Sequence, residues 1–206
     1  INNIMHKNLP KYYYFIDKFE KDDIKNINNN IGIIYRNYTK KTDVNLIKTI
    51  KNFLKKKKIK FFLADNVKIA IQLNLDGVYM PSFNTGYKIN SYSKKKNFFI
   101  IGSAHNIKEI RIKEKQGVEM IFLSPLFKTN KSNKFLGLIK FNILSKLTKK
   151  KLIALGGINQ KNIHKLFLLN ACGFASISFL KNADKLYINK IITKQKYHIN
   201  NINKNK

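Results

Sequence analysis

The 206-residue sequence predicts an α/β fold: a (β/α)8 TIM barrel built on a parallel sheet. Three observations predict it. Eight short runs of apolar, β-branched or aromatic residues recur along the chain. Each is nearly continuous in apolar residues rather than alternating, the pattern of a strand buried on both faces. Each is followed by a helical or helix-sized segment, and eight such units are the number that closes a barrel. An open doubly wound sheet is the alternative, but it normally has fewer strands and a reversal in strand order. About 200 residues is the lower end of the barrel range, so the connections must be short.

The expected strands are 12–17 (YYYFID), 31–38 (IGIIYRNY), 59–65 (IKFFLAD), 76–82 (DGVYMPS), 98–105 (FFIIGSAH), 118–127 (VEMIFLSPLF), 151–158 (KLIALGGI) and 172–180 (CGFASISFL). The first reads as barrel packing rather than an aromatic stacking platform. Asp76 and Gly77 read as the turn into the fourth strand.

Helical patterns lie between the strands. Over 42–58, Val44, Ile47, Ile50 and Leu54 share one face. The segment 66–74 is short and amphipathic. The segment 106–117 opens with Asn106, has Glu109 three residues later as a capping-box variant, and closes at Gly117. Over 159–170, Asn159 is the expected cap, and Ile163, Leu166, Phe167 and Asn170 share a side. The segments 140–150 and 182–193 complete the set, while 85–97 fits no single element. No Pro- or Gly-rich linker interrupts the chain, so residues 1–195 are expected to form one barrel domain. Residues 196–206 (KYHINNINKNK) have little to bury and are expected to be a disordered basic, polar tail.

Composition narrows the function classes. Hydrophobic residues make up 44% of the chain, enough for a globular core. No apolar run approaches the ~20 residues that cross a bilayer. The first residues carry no secretory pattern, although the chain opens on Ile1 and Met5 is its first methionine. Cys172 is the single cysteine, which excludes a disulfide framework or a multi-cysteine zinc site and reads as a small packed residue. These features lead us to expect a cytoplasmic protein with no membrane partner. The net charge of +30 invites a nucleic-acid reading. The lysines, however, are spread over the chain and accompanied by inflated Asn and Ile, no nucleic-acid module is visible, and specific nucleic-acid binding is not expected. The densest run, Lys55 to Lys58, follows an apolar-periodic stretch, where cations favour a helix C-terminus. The overall field would still recruit anionic substrates.

In a barrel of this class, chemistry lies where strands end. Those ends carry Arg36, Asp65, Ser82 and Asn84, then Ser103 and His105, then Thr129 and Lys131, then Gly156 and Gly157, and finally Ser176 and Ser178. Barrels often hold a phosphate between the loops after strands seven and eight. Gly156 and Gly157 would let backbone amides approach an anion without a Cβ between them, with Ser176 and Ser178 beside them. A glycine turn capped by Asn159 explains the same pair without a ligand.

Three segments, FFLADNVKIAIQLNLDGVYMPS, IGSAHNIKEIRIKEKQGVEMIFLSPLF and ALGGINQKNIHKLFLLNACGFASIS, together resemble thiamine phosphate synthase and its TenI relatives. The resemblance runs from about Ile31 to Phe179. It implies a transferase of thiamine biosynthesis that couples hydroxymethylpyrimidine diphosphate to thiazole phosphate, releases pyrophosphate and uses Mg2+. It further implies a diphosphate grip at Arg36, a metal-ligating Asp65 with Asn84 at the second metal position, and Ser103 near the pyrimidine. Thr129 would belong to a loop over the diphosphate, with its lysine at Lys131 or Lys134, and Gly156, Gly157 and Ser178 would form the thiazole-phosphate site. The chain departs from the family pattern at Tyr38, where a lysine is usual, at Ala64 for asparagine, at Asn84 for aspartate, and at Pro81-Ser82 for Gly-Gln. Fewer fixed charges therefore face the diphosphate. His105 stands in a Ser-x-His pattern common to synthases and to thiazole tautomerases, so a proton-transfer role and a hydrogen-bonding role both stay open. A barrel that binds thiazole phosphate or thiamine phosphate without turnover is a further alternative.

Overall fold

A computed structural model describes residues 9–25, 27–39, 41–130, 132–182, 187–191 and 193. The expected eight strands form in order: β1 (Tyr12–Ile16), β2 (Ile31–Tyr35), β3 (Phe61–Ala64), β4 (Gly77–Met80), β5 (Phe99–Ala104), β6 (Met120–Leu123), β7 (Lys151–Leu155) and β8 (Gly173–Ser176). All neighbours pair in parallel, and β1 closes on β8 with Tyr12 opposite Phe174, so the sheet is a closed barrel.

Strand alternation sorts the side chains into two layers. Tyr13, Phe15, Ile34, Phe62, Tyr79, Phe99, Ile101, Met120, Phe122 and Ile153 form one cluster, the barrel interior. Aromatic rings dominate it: Phe15, Tyr79 and Phe122 meet edge to face with centroids 5.1 to 6.0 Å apart. The other parity, including Tyr12, Tyr14, Ile33 and Phe61, packs outward against Ile47, Ile50 and Leu54 of the helix layer.

The helices are α1 (Lys21–Lys25), α2 (Val44–Lys56), α3 (Val67–Gln72), α4 (Ile107–Lys115), α5 (Gly137–Lys146) and α6 (Ser178–Asn182). Their sequence signals are physical. Asp43 caps α2 by accepting from the amides of Asn45 and Leu46. Asn106 caps α4 by accepting from Glu109 N, and the helix stops at Gly117 with φ 73°.

Several elements differ from expectation. Val44 is 39% exposed because it is the first residue of α2 and lies above the buried face. The helix expected over 159–170 is a 3₁₀ turn, Ile163–Leu168, with Ile163 and Leu166 buried. Asn159 does not cap it but turns the loop, its Oδ1 accepting from Lys161 N. The ambiguous stretch 85–97 contains a 3₁₀ turn, Lys88–Ser91. The sixth strand stops at Leu123 because Pro125 has no N–H to give the ladder; Leu126 and Phe127 still donate to Leu155 and Gly156. The helix expected at 140–150 begins earlier, at Gly137. The run 172–180 is not one strand: it breaks after Ser176, and Ser178 opens α6. Of the helix expected over 182–193, residues 187–191 and 193 are helical. The expected tail, 196–206, lies outside the described residues.

Candidate active site

Strand parity aims Arg36, two residues beyond inward-facing Ile34, at the C-terminal mouth of the barrel. Its guanidinium lies 5.2 Å from the centre of the Phe15 ring, a cation–π contact on the aromatic top layer. Tyr79 belongs to the same layer. Burial pushes its hydroxyl up to about 12, opposed by a hydrogen bond with Ser103 and by the Arg36 charge. Ser103 is itself 4% exposed, two residues beyond inward-facing Ile101. Arg36, Tyr79 and Ser103 therefore form one polar cap over an apolar core.

Asp65 follows β3 in a left-handed conformation, φ 60°. Its amide donates to Tyr79 O, and its Oδ1 accepts from Asn84 Nδ2 at 2.6 Å. Asn84 Oδ1 in turn accepts from Gly86 N, so the Asn84 carboxamide braces the loop and orients Asp65. Beneath that loop lies Lys113, with no solvent exposure. Its Nζ donates to Pro81 O at 2.6 Å, to Asn84 O at 2.7 Å and to Gln116 Oε1 at 2.9 Å. Gln116 Nε2 donates to Asn84 O and Gly86 O. Burial lowers the Lys113 ammonium to about 8, while Glu109 and Asp65 pull it upward. Neither Lys113 nor Gln116 is legible in the sequence as part of the mouth, because both fall within an ordinary helical repeat.

Tyr38, where the resemblance expects lysine, sits at the rim. Its ring meets Phe83 edge to face with centroids 5.1 Å apart. Although Tyr38 is 46% exposed overall, partial desolvation of its hydroxyl, with Tyr79 nearby, raises its pKa, against the opposing pull of Arg36. The pair gives the mouth an aromatic wall where a second fixed cation would otherwise stand.

His105 is held by three residues. Its amide donates to Glu109 Oε2, and Nδ1 lies 2.7 Å from Ser124 O and 3.2 Å from Ser124 Oγ. Nε2 lies 2.9 Å from Ser82 Oγ. A carbonyl oxygen can only accept, so Nδ1 carries the proton, and in the neutral ring Nε2 accepts from the Ser82 hydroxyl. The structure thus joins Ser82, His105 and Ser124 into one chain of hydrogen bonds.

The β7 and β8 ends are neighbours, with Leu155 opposite Ala175. Gly156 and Gly157 have φ 97° and 69°. A Cβ on Gly157 would lie 2.5 Å from Lys128 O and 2.6 Å from Phe127 O. Glycine is thus required by the backbone conformation and by close approach of the β6 loop, a reason additional to the ligand argument. Phe127 N and Asn162 Nδ2 take the Gly156 and Gly157 carbonyls. Among the described residues, the amides of Gly157, Ile177 and Ser178 donate to no protein acceptor. Ser176 is 5% exposed, and its hydroxyl accepts from Leu180 N, capping α6, whereas Ser178 is exposed. Thr129 turns the β6 loop through reciprocal backbone bonds with Ser132. Lys131 lies outside the described residues.

This architecture defines a class: a (β/α)8 barrel whose polar residues gather where its strands end, the enzymatic face of such barrels. The model of the thiamine monophosphate synthase family matches residues 30–180, and the chain belongs to that family. Its relatives include a thiamine-phosphate synthase of Methanococcus vannielii, 30% identical, with 65% of this chain and 68% of the relative covered. Another, from Flavobacterium johnsoniae, is 29% identical over 79% of this chain and 85% of the relative. Among solved structures, thiamine phosphate pyrophosphorylase from Pyrococcus furiosus superposes with a TM-score of 0.72 at 20% identity, covering 91% of this chain and 96% of that one, which bears on the fold. No described helix is long and apolar enough to cross a membrane.

Proposed function

We propose that the chain catalyses the family's transfer: a pyrimidinylmethyl diphosphate reacts with a thiazole phosphate to give thiamine phosphate and pyrophosphate. The methylene C–O bond breaks, and pyrophosphate leaves with the electron pair. The thiazole nitrogen then supplies its lone pair to the methylene carbon. Such a reaction needs neutralisation of the leaving group and alignment of the two partners. The observation that carries the reading is the mouth's division into two halves. Arg36 and Asp65 stand on one side, and on the other stand amides at Gly157, Ile177 and Ser178 that donate to no acceptor among the described residues. Arg36 grips the diphosphate, Ser103 contacts the pyrimidine, and the amides with the Ser178 hydroxyl hold the thiazole phosphate. Gly156 shapes that turn, Ser176 supports it through α6, and Thr129 and Lys131 close the β6 loop over the diphosphate.

Asp65 fits a Mg2+ that also takes substrate oxygens. Among the described residues no group of three or more His, Cys, Asp or Glu could cage an ion. One carboxylate plus diphosphate oxygens is an ordinary arrangement for this cation. When bound, Mg2+ supplies charge neutralisation to the leaving pyrophosphate. Asn84, with its nitrogen turned to Asp65, positions that carboxylate rather than adding a second anionic ligand.

The Ser82–His105–Ser124 chain favours a second reading, proton transfer on the thiazole as in a tautomerase. Purified protein supplied with both phosphorylated partners and Mg2+ separates the two. The transferase reading requires pyrophosphate release that stops without the metal and survives His105→Ala in part. Metal-independent isomerisation of the thiazole, abolished in His105→Ala and without pyrophosphate release, replaces it with the tautomerase. Binding of thiazole phosphate with neither activity rejects both and leaves a binding barrel. The transferase reading also implies a cytoplasmic protein acting on small phosphorylated substrates.

A further inference from the structure

The opposite, N-terminal end of the barrel holds an open cavity of about 750 Å³. It lies where β1 and β3 begin, at Tyr12 and Phe61, far from the strand ends that carry Arg36 and Asp65. Its lining includes six lysines, Lys11, Lys51, Lys55, Lys58, Lys60 and Lys95, among sixteen residues. The whole chain has 41 Lys and Arg in 206 residues, so the cavity is enriched in cations even against this background. Asp76 is the carboxylate of the lining, and it is already engaged: its Oδ2 accepts from Phe61 N, and its Oδ1 lies 3.5 Å from Lys60 Nζ. Among the described residues, Lys11, Lys51, Lys55 and Lys58 form no ion pair. Lys95 donates to Asn74 Oδ1. Partial burial depresses its ammonium, and the nearby charges of Lys51 and Lys60 depress it further against the pull of Asp76.

We propose that this cavity is a second binding site, taking a small anion that carries several phosphate charges. Uncompensated cations on a concave wall focus a positive potential that a compact polyanion neutralises. The size lies within the range of small-molecule sites, roughly 300–1,000 Å³. A recess of this size suits a compact anion better than a nucleic-acid strand, which needs a groove to run through. The inference is independent of the chemistry at the other mouth.

The test is titration of the full chain with inorganic triphosphate at about 0.15 M salt, where diffuse surface charge is screened beyond roughly 8 Å. Binding is followed by calorimetry and amide chemical shifts. The expected result is saturable binding with shifts at residues 58–61 and 74–76, retained in Arg36→Ala. The triple variant K51Q/K55Q/K58Q should weaken it at least about tenfold, a loss of 1.4 kcal/mol. The charge-matched K140Q/K161Q/K165Q, built from exposed lysines elsewhere, should stay within about twofold of that affinity. K11Q/K51Q serves as a second cavity variant, and thermal melts without ligand check that each variant is folded. Equal weakening by the cavity and control triples overturns the proposal in favour of diffuse charge. Shifts confined to the mouth, at residues 36 and 65 or at 156–157 and 177–178, overturn it in favour of the catalytic mouth. Tighter binding of single-stranded RNA, lost equally in both triples, overturns it in favour of nonspecific nucleic-acid attraction.

Discussion

The buried Lys113 ammonium donates to the Asn84 carbonyl at 2.7 Å, and Asn84 donates onward to Asp65 at 2.6 Å. A cation with no solvent exposure thereby sets the position of a carboxylate at the C-terminal mouth of the barrel. Replacing Lys113 by Met leaves the carbonyls of Pro81 and Asn84 without that donor. Each unsatisfied buried group costs about 1–3 kcal/mol. Urea unfolding should therefore show a loss of at least about 1 kcal/mol, accompanied by lower Mg2+-dependent turnover. Unchanged stability would mean that the loop holds itself.

Arg36→Ala removes the guanidinium over Phe15 without opening the aromatic layer beneath it. Loss of one charged stabiliser of a leaving group typically costs about 10²–10³ in rate. We expect kcat/KM for the diphosphate partner to fall by that order with the melting temperature within a few degrees of the parent. Steady-state kinetics with each substrate varied in turn checks it; a loss confined to the thiazole partner would move Arg36 to the other half-site.

Two glycines with similar φ separate strain from contact. Gly117 has φ 73° with nothing within 4 Å of an added methyl, whereas at Gly157, φ 69°, that methyl meets the Lys128 and Phe127 carbonyls. Gly117→Ala should cost only the left-handed penalty, about 1–2 kcal/mol. Gly157→Ala should cost more and weaken thiazole-phosphate binding as well. Equal destabilisation in chemical denaturation would show that the β6 loop yields freely.

Alkaline stability reports on Tyr79. Its hydroxyl is raised from 10.0 to about 12, chiefly by burial. The folded state thus holds a proton that the unfolded chain loses first. The stabilisation is complete below pH 10 and disappears as pH rises through 12. Tyr79→Phe should lessen the fall of the urea midpoint over that window, and a parallel curve would assign the limb to other groups.

The barrel is legible in the sequence because its strands are buried on both faces and so stand out as apolar runs, most of them ended by a polar residue. That boundary brings Arg36, Asp65 and Ser103 to the mouth. It fails where one apolar run hides two elements: 172–180 reads as a strand, yet the chain turns after Ser176 to start α6. Ser176 and Ser178, two residues apart, consequently differ, one buried as a cap and the other exposed. Lys113 is illegible because a lysine in a lysine-rich helix looks solvated, and only the packing of α4 against β5 puts it under the β4 loop. The glycine pair stands out in the sequence, but its positive φ and the carbonyls of the β6 loop are long-range facts that spacing does not carry.

The most direct test of the account is formation of thiamine phosphate by the purified chain, given pyrimidine diphosphate, thiazole phosphate and Mg2+, with pyrophosphate measured in parallel. The account predicts the two products in equal amounts, dependent on the metal and lost together in Arg36→Ala and Asp65→Ala. Absence of both products over a range of Mg2+ concentrations, in protein that still binds thiazole phosphate, would contradict it.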